Sequence, residues 1–243
     1  MRRRPYTAPR RRAIALVGAG GRVCGPSPPA LAASLPMIFD ALKRAALDYH
    51  HRTSRIPCGE RVTASLARHL GRAASLLDVG CGDGVNLTRL AAACGATKVA
   101  GVDVLVRPNA VIDVVPYDGL HLPFPDRSFE AVSIIDVLHH CTDARQVLRE
   151  VLRVADRVVV IKDHFAFGPV TDKMLYLMDI AGNAKDGIPS PGTYFHPRQW
   201  VEMITEAGGR VDTIDWPLKT HDLPWRLVGW PELQFTAKVV PVR

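Results

Sequence analysis

The chain has no acidic residue before Asp40, no C-x-x-C pair among its five cysteines, and no apolar run near the roughly 20 residues that cross a bilayer. Each absence removes a class of function. Without long apolar runs the sequence predicts no membrane span. Cys24, Cys58, Cys81, Cys94 and Cys141 are odd in number and widely spaced, so neither a zinc ribbon nor a disulfide framework is expected. Reduced thiols and a cytoplasmic setting are the expectation. Because acids are missing from the start, Arg2, Arg3, Arg4, Arg10, Arg11, Arg12 and Arg22 account for the entire net charge of +7, and the rest of the chain is neutral. A nucleic-acid enzyme would carry its basic patch on the folded surface that grips phosphates. The charge here sits in a Pro/Arg-rich leader, residues 1–33, expected to be flexible. Its order, basic and then briefly apolar, resembles that of a secretory signal, but the apolar part is short and broken by glycine.

The whole chain, 243 residues with 47% hydrophobic and 23% charged, suits one α/β domain, expected over residues 34–243. "MIFDALKRAALDYH" and "ERVTASLARHLG" read as two helices separated by "SRIPCG". After them "SLLDV", "KVAGVDV", "AVIDVV", "FEAVSIIDV" and "DRVVVIKDH" read as strands, with "NLTRLAAAC" and "DARQVLREVLRVA" as helices between them. The strands are nearly continuous Val/Ile/Leu runs, as in a parallel sheet covered on both faces. After "PRQWVEMITEAGG", a helix, come two late strands, "RVDTIDW" and "ELQFTAKVV". The expected fold is therefore α/β: a doubly wound, mostly parallel seven-stranded sheet with helices on both faces. Residues 168–197, a helix running into a Gly/Pro-rich loop, interrupt the rhythm and are expected to form a lid or substrate-binding insertion.

Two glycine clusters compete for the role of ligand loop. "IALVGAGGRVCG" at 14–25 has Gly18 and Gly20 in place but Val23 at the third glycine position, and the prolines of "CGPSPPA" would break the helix that should follow. "LLDVGCGDG" at 76–84 meets the conditions. It begins as a strand, turns on Gly80, Gly82 and Gly84, and enters a helix near Asn86. Asp103 then ends the next strand, where a carboxylate can bind two ribose hydroxyls.

"LLDVGCGDG", "VAGVDV", "DGLHLPFPDRSFEAVSIIDVLHH" and "EVLRVADRVVVIKD" together resemble the class I S-adenosylmethionine-dependent methyltransferases. The resemblance implies a Rossmann-like methyltransferase fold and S-adenosyl-L-methionine as cofactor. It implies that Gly80, Cys81 and Gly82 lie along the methionine part, with Asp78 near its amino group, and that Asp103 with Val104 meets the ribose. It further implies Asp118 and Gly119 beside the adenine, and Asp136 and Val137 at the mouth shared with the substrate. One link departs from the family: "LRVADR" stands where "L-K-P-G-G" is common.

Beyond the strand ends lie His139, His140, Asp163 and His164. His164 with Asp163 is the favoured catalytic pair, with His140 as a further base, and such a base would take a proton as the methyl group arrives. Equally, these side chains can serve only to bond strand-end backbone. His139, Met178, Asn183, Tyr194 and His196 are the expected substrate contacts, and Trp216, Trp225 and Trp230 either wall the site or pack a small core. No metal is expected. The expected reaction is methyl transfer to oxygen or carbon of a small, partly apolar metabolite. The alternatives are an N-methyltransferase for small amines, an RNA methyltransferase, and a non-catalytic S-adenosylmethionine-binding partner protein. No specific nucleic-acid partner is expected, and a homodimer is left open.

Overall fold

A computed structural model describes residues 30–183 and 191–243; the side chains of 30–39, 181–183, 228 and 229 lie outside the described set. Residues 1–29, and with them most of the expected leader and the whole of "IALVGAGGRVCG", fall outside the described residues, as does 184–190 of the expected insertion. The chain divides into two units, 1–46 and 47–243. Of the first, residues 30–46, the greater part of helix α1 (Ala30–His50), are described. The helix already includes residues 30–33, so the boundary expected at 33 falls inside it.

The expected break at "SRIPCG" is a correction of another kind. Helix α1 passes through one π-type turn, His51–Arg55, into α2 (Ile56–Leu70). Pro57 stands in the first turn of α2, where its missing N–H is tolerated, and the widened turn before it takes up the residues that a regular helix could not.

Seven strands form one sheet in the order β3-β2-β1-β4-β5-β7-β6. They are β1 (Ser75–Val79), β2 (Lys98–Asp103), β3 (Val114–Pro116), β4 (Phe129–Ile135), β5 (Ala155–His164), β6 (Gly209–Asp215) and β7 (Gln234–Pro241). The first five pair in parallel, while β7 runs antiparallel between β5 and β6. The described residues also form helices α3 (Val85–Cys94), α4 (Ala144–Val154), α5 (Pro169–Asn183), α6 (Pro197–Glu206) and the short α7 (Arg226–Gly229).

Alternation along β5 assigns its two faces. Val159 and Ile161 pack in one core with Val147, Leu148 and Val151 of α4 and Trp200 and Met203 of α6. Val158 and Val160 pack in a second core with Val62, Leu66 and Leu70 of α2 and Leu87 and Leu90 of α3. A strand buried on both sides needs apolar residues at consecutive positions, which explains the unbroken "VVVI". The same alternation sends Asp163 toward one face and Lys162 and His164 toward the other. Helix α4 starts where Asp143 caps it, its side chain accepting from Gln146 N at 2.9 Å.

Candidate functional site

The ligand side of a parallel sheet is the rim beyond its strand C-termini. There β1 turns through Gly80, Gly82 and Gly84, all with positive φ. Gly80 has no room for a side chain, since a Cβ would lie 2.3 Å from Val137 Cγ2. The turn is sewn to β2: Gly80 N and Cys81 N donate to Val102 O, and Gly82 N donates to Asp103 Oδ2 at 2.8 Å. Asp103 Oδ1 accepts from Leu105 N at 2.9 Å. Close-packed glycines beside a strand-end carboxylate fit the amino-acid and ribose parts of the expected cofactor.

The other residues expected at the cofactor lie as follows. Asp78 is buried inside β1 and accepts from Ser133 Oγ at 2.6 Å; burial pushes its carboxyl up to about 7. The Cys81 side chain is buried, so the backbone is what this residue brings to the turn, and burial pushes its thiol up to about 12. Val104 is exposed, and a Cβ on Gly119 would lie 3.2 Å from its Cγ1. Asp118 folds back on its own loop, accepting from Leu120 N and His121 N and pairing with His121 Nδ1 at 2.8 Å, and these bonds hold its carboxyl at about 2. Asp136 adopts a left-handed backbone conformation (φ 54°), with Lys162 Nζ donating to its Oδ1 at 2.5 Å. Val137 follows it and packs on Gly80.

The rim after β4 and β5 gathers the histidines, with one correction to the expected pairing. The close side-chain partner of Asp163 is His139 and not the His164 ring: His139 Nδ1 lies 2.6 Å from Asp163 Oδ1, whereas His164 Nδ1 is 3.6 Å away and His164 gives that oxygen its backbone N–H, at 2.8 Å. The reason is strand alternation, which turns adjacent side chains to opposite faces. Burial alone would depress His139, but the Asp163 carboxylate outweighs it and raises the imidazole to about 9. Asp163 responds in the opposite sense, its burial overridden by the His139 charge and hydrogen bonds that hold it well below the ordinary carboxylate range. Burial, aided by Lys162, lowers His164, and burial with the His139 charge lowers His140. Asp163 Oδ2 and His164 Nδ1 are buried and have no hydrogen-bond partner among the described residues. Such atoms ask for a polar group from outside the side-chain set.

The site carboxylates have internal counter-charges: Lys162 on Asp136, and protonated His139 on Asp163.

Helix α5 and the stretch before α6 bring a residue that sequence reading missed. Asp179 Oδ2 lies 3.5 Å from His139 Nε2 and accepts from the Tyr194 hydroxyl. The Tyr194 ring stacks on His139 with centroids 5.8 Å apart. The signal for Asp179 was its position one residue after Met178 in the insertion, but only the folded chain shows which residue turns inward. Met178 is half-buried, and the described helical packing runs through Met174 and Leu175, which join Ala166, Leu233 and Trp230. The Asn183 side chain lies outside the described residues. His196 is a correction: it is exposed and caps α6, its Nδ1 accepting from Arg198 N while its N donates to Gln199 Oε1. Nor do the tryptophans share a wall. Trp216 lies beside Phe165 and Phe167, Trp225 beside Tyr49 and His50, and Trp230 in the small cluster under α5.

An apolar cavity of about 360 Å³ lies between α6 and strands β6 and β7, lined by Phe165, Trp200, Val211, Ile214, Trp216 and Phe235. Trp200 ties it to the site, its Nε1 donating to His164 O at 3.0 Å.

A seven-stranded sheet of this order, with a glycine turn after β1 and an acid ending β2, defines a Rossmann-like methyltransferase fold. Residues 77–157 match the family described as "Methyltransferase domain". Over those residues, about a third of its length, the chain is similar to S-adenosylmethionine-dependent methyltransferases. It is 38% identical over 111 residues to methyltransferase GfsG of Streptomyces halstedii, covering 40% of each chain. It is 37% identical over 92 residues to the 27-O-demethylrifamycin SV methyltransferase of Amycolatopsis mediterranei, covering 32% of this chain and 34% of that protein. The chain thus spans less than half the length of these two curated relatives. In fold it resembles the 1,6-didemethyltoxoflavin-N1-methyltransferase of Burkholderia thailandensis, with a TM-score of 0.55, 16% identity, and coverage of 92% of this chain and 94% of that one.

Proposed function

We propose that this protein transfers a methyl group from S-adenosylmethionine to an oxygen or an acidic carbon of a small, partly apolar metabolite. The observation that carries the reading is the buried His139–Asp163 pair at the ends of β4 and β5. A hydroxyl or an acidic C–H must lose a proton as it is methylated, whereas a neutral amine attacks with its own lone pair; a built base therefore favours oxygen or carbon over nitrogen. The bound cofactor supplies an already activated methyl group on a sulfonium.

The protein's own part is positioning, water exclusion and proton removal. Gly80, Gly82 and Asp103 would hold the cofactor, with Asp136 and Val137 at the shared mouth. His139, neutral at the moment of reaction, would accept the acceptor's proton at Nε2 while Asp163 fixes its tautomer by accepting from Nδ1–H. The unpartnered Asp163 Oδ2 and His164 Nδ1 suit a further polar group of the acceptor or an ordered water. The apolar cavity beside Phe165 and Trp200 would take the apolar part of the acceptor. The O-methyl chemistry in the printed name of the Amycolatopsis relative supports the same direction.

The test is incubation with methyl-labelled S-adenosylmethionine and metabolite fractions from the producing cell, followed by identification of the labelled product. Label on a hydroxyl oxygen or carbon is the expected result. Label found solely on RNA or on amine nitrogen would overturn it.

A further inference from the structure

The inserted helix α5 places a second carboxylate on the proposed base. Asp163 meets His139 at Nδ1 and Asp179 meets it at Nε2, 2.6 Å and 3.5 Å away. An imidazole with a carboxylate at each nitrogen is best satisfied as the imidazolium, which has an N–H donor on both sides. A general base needs the opposite, a lone pair on the nitrogen that faces the acceptor. The two carboxylates therefore do different work: the one at Nδ1 orients the base, while the one at Nε2 opposes its use.

We propose that Asp179 competes with the acceptor for the Nε2 face of His139, so that an acceptor reaches the base by displacing this carboxylate. The inference rests on His139 being the base of the proposed methyl transfer. Tyr194 makes the exchange workable. Its hydroxyl donates to Asp179 Oδ2 and its ring lies over His139, so a small rotation of the hydroxyl transfers its hydrogen bond from Asp179 to an incoming oxygen. An acceptor that both donates an O–H to Nε2 and accepts from Tyr194 replaces the two contacts it removes. A neutral alcohol or phenol does this; a protonated amine has no lone pair for the Tyr194 hydrogen bond and leaves Asp179 in place. On this reading α5 selects neutral hydroxyl acceptors. The other groups facing His139 are Asp136 after β4, His140 beside it, and His164 at the end of β5, and none of them sits on the inserted helix.

The test uses the full chain with ¹³C-labelled histidine, following the His139 ring by NMR across its titration and assigning it by the signal lost in His139→Gln. Asp179→Asn removes the charge at Nε2, and the expected result is proton binding at His139 about tenfold weaker. Tyr194→Phe removes the hydrogen bond that partly occupies Asp179, so the expected shift is in the opposite direction, toward tighter proton binding. A role for these residues in folding alone would not give shifts of opposite sign. Shifts of the same sign, or an unmoved His139 in both variants, would overturn the proposal. Calorimetric titration with S-adenosylmethionine reports separately on the methyl-transfer reading. Wild-type protein that fails to bind it sinks that reading, while the NMR shifts still decide whether Asp179 acts on His139.

Discussion

His139 Nδ1 lies 2.6 Å from Asp163 Oδ1, with both side chains almost wholly buried. A contact this short between buried, oppositely charged partners fixes the ring's orientation and leaves Nε2 facing Asp179 and, in the proposed reaction, the acceptor. His139→Gln should therefore lower methyl transfer by about 10²- to 10⁴-fold, the usual contribution of a positioned base, with cofactor affinity nearly unchanged. His164→Gln should cost no more than about tenfold, because its Nδ1 is 3.6 Å from both Asp163 and Asp136. Single-turnover rates with the labelled product, set beside calorimetric cofactor affinity, check both. A larger loss from His164→Gln would return the base to that residue.

The raised His139 pKa has consequences of definite sign. The base must be neutral to act, so kcat/KM should climb as pH rises toward about 9 and level off above it. Stability should move the other way. A histidine whose folded pKa exceeds its ordinary 6.5 adds stability that is fully present below 6.5 and is lost as pH rises through about 9. Chemical denaturation over that range, compared between wild type and His139→Gln, should show the pH slope in the wild type and a smaller one in the variant. A rate profile that is flat through this window would remove the charged resting form of His139 from the account.

Much of the sheet was legible because its strands are buried on both faces: "SLLDV" is β1 residue for residue, and Gly80 and Asp103 lie where the turn chemistry put them. Strand β3 was legible only in outline, since the half-exposed "AVIDVV" pairs over Val114–Pro116 alone. The site was harder to read for two physical reasons. Adjacency suggested His164 as the partner of Asp163, but the short side-chain contact is to His139, 24 positions earlier in the chain, while the His164 ring stands 3.6 Å off. Asp179 meets His139 across 40 positions of chain, a closeness set by how α5 folds over the rim and not by any local pattern.

Gly80 gives a test of the cofactor turn. At φ 71° an alanine is strained by about 1–2 kcal/mol, and its Cβ would also lie 2.3 Å from Val137 Cγ2. Gly80→Ala should weaken S-adenosylmethionine binding at least tenfold and lower the melting temperature. Adding Val137→Ala should relieve the clash but not the backbone strain, giving partial recovery. Full recovery in the double variant would mean that φ is not limiting, and no loss in the single variant would mean that the turn is not where the cofactor binds.

Arg153 offers the last test, in the link where "LRVADR" departs from the family pattern. Its guanidinium donates to both Glu150 carboxylate oxygens, to Asp126 Oδ1, and to the carbonyls of Phe124 and Leu122, at 2.7 to 3.1 Å. Glu150 in turn accepts from Leu122 N at 2.9 Å. One side chain thus clamps residues 122–126 onto α4 and, through them, steadies the loop that carries Asp118 and Gly119. Lysine cannot reproduce the planar fork that meets two carboxylates and two carbonyls together. Arg153→Lys should therefore behave more like Arg153→Met than like wild type, each losing about 1–3 kcal/mol of stability and several-fold in cofactor affinity. The proton-dependent limb of the rate profile should stay in place, because His139 precedes α4 while Arg153 stands in its last turn. Arg153→Lys with wild-type stability and affinity would show that charge alone holds the loop and that the fork geometry is dispensable.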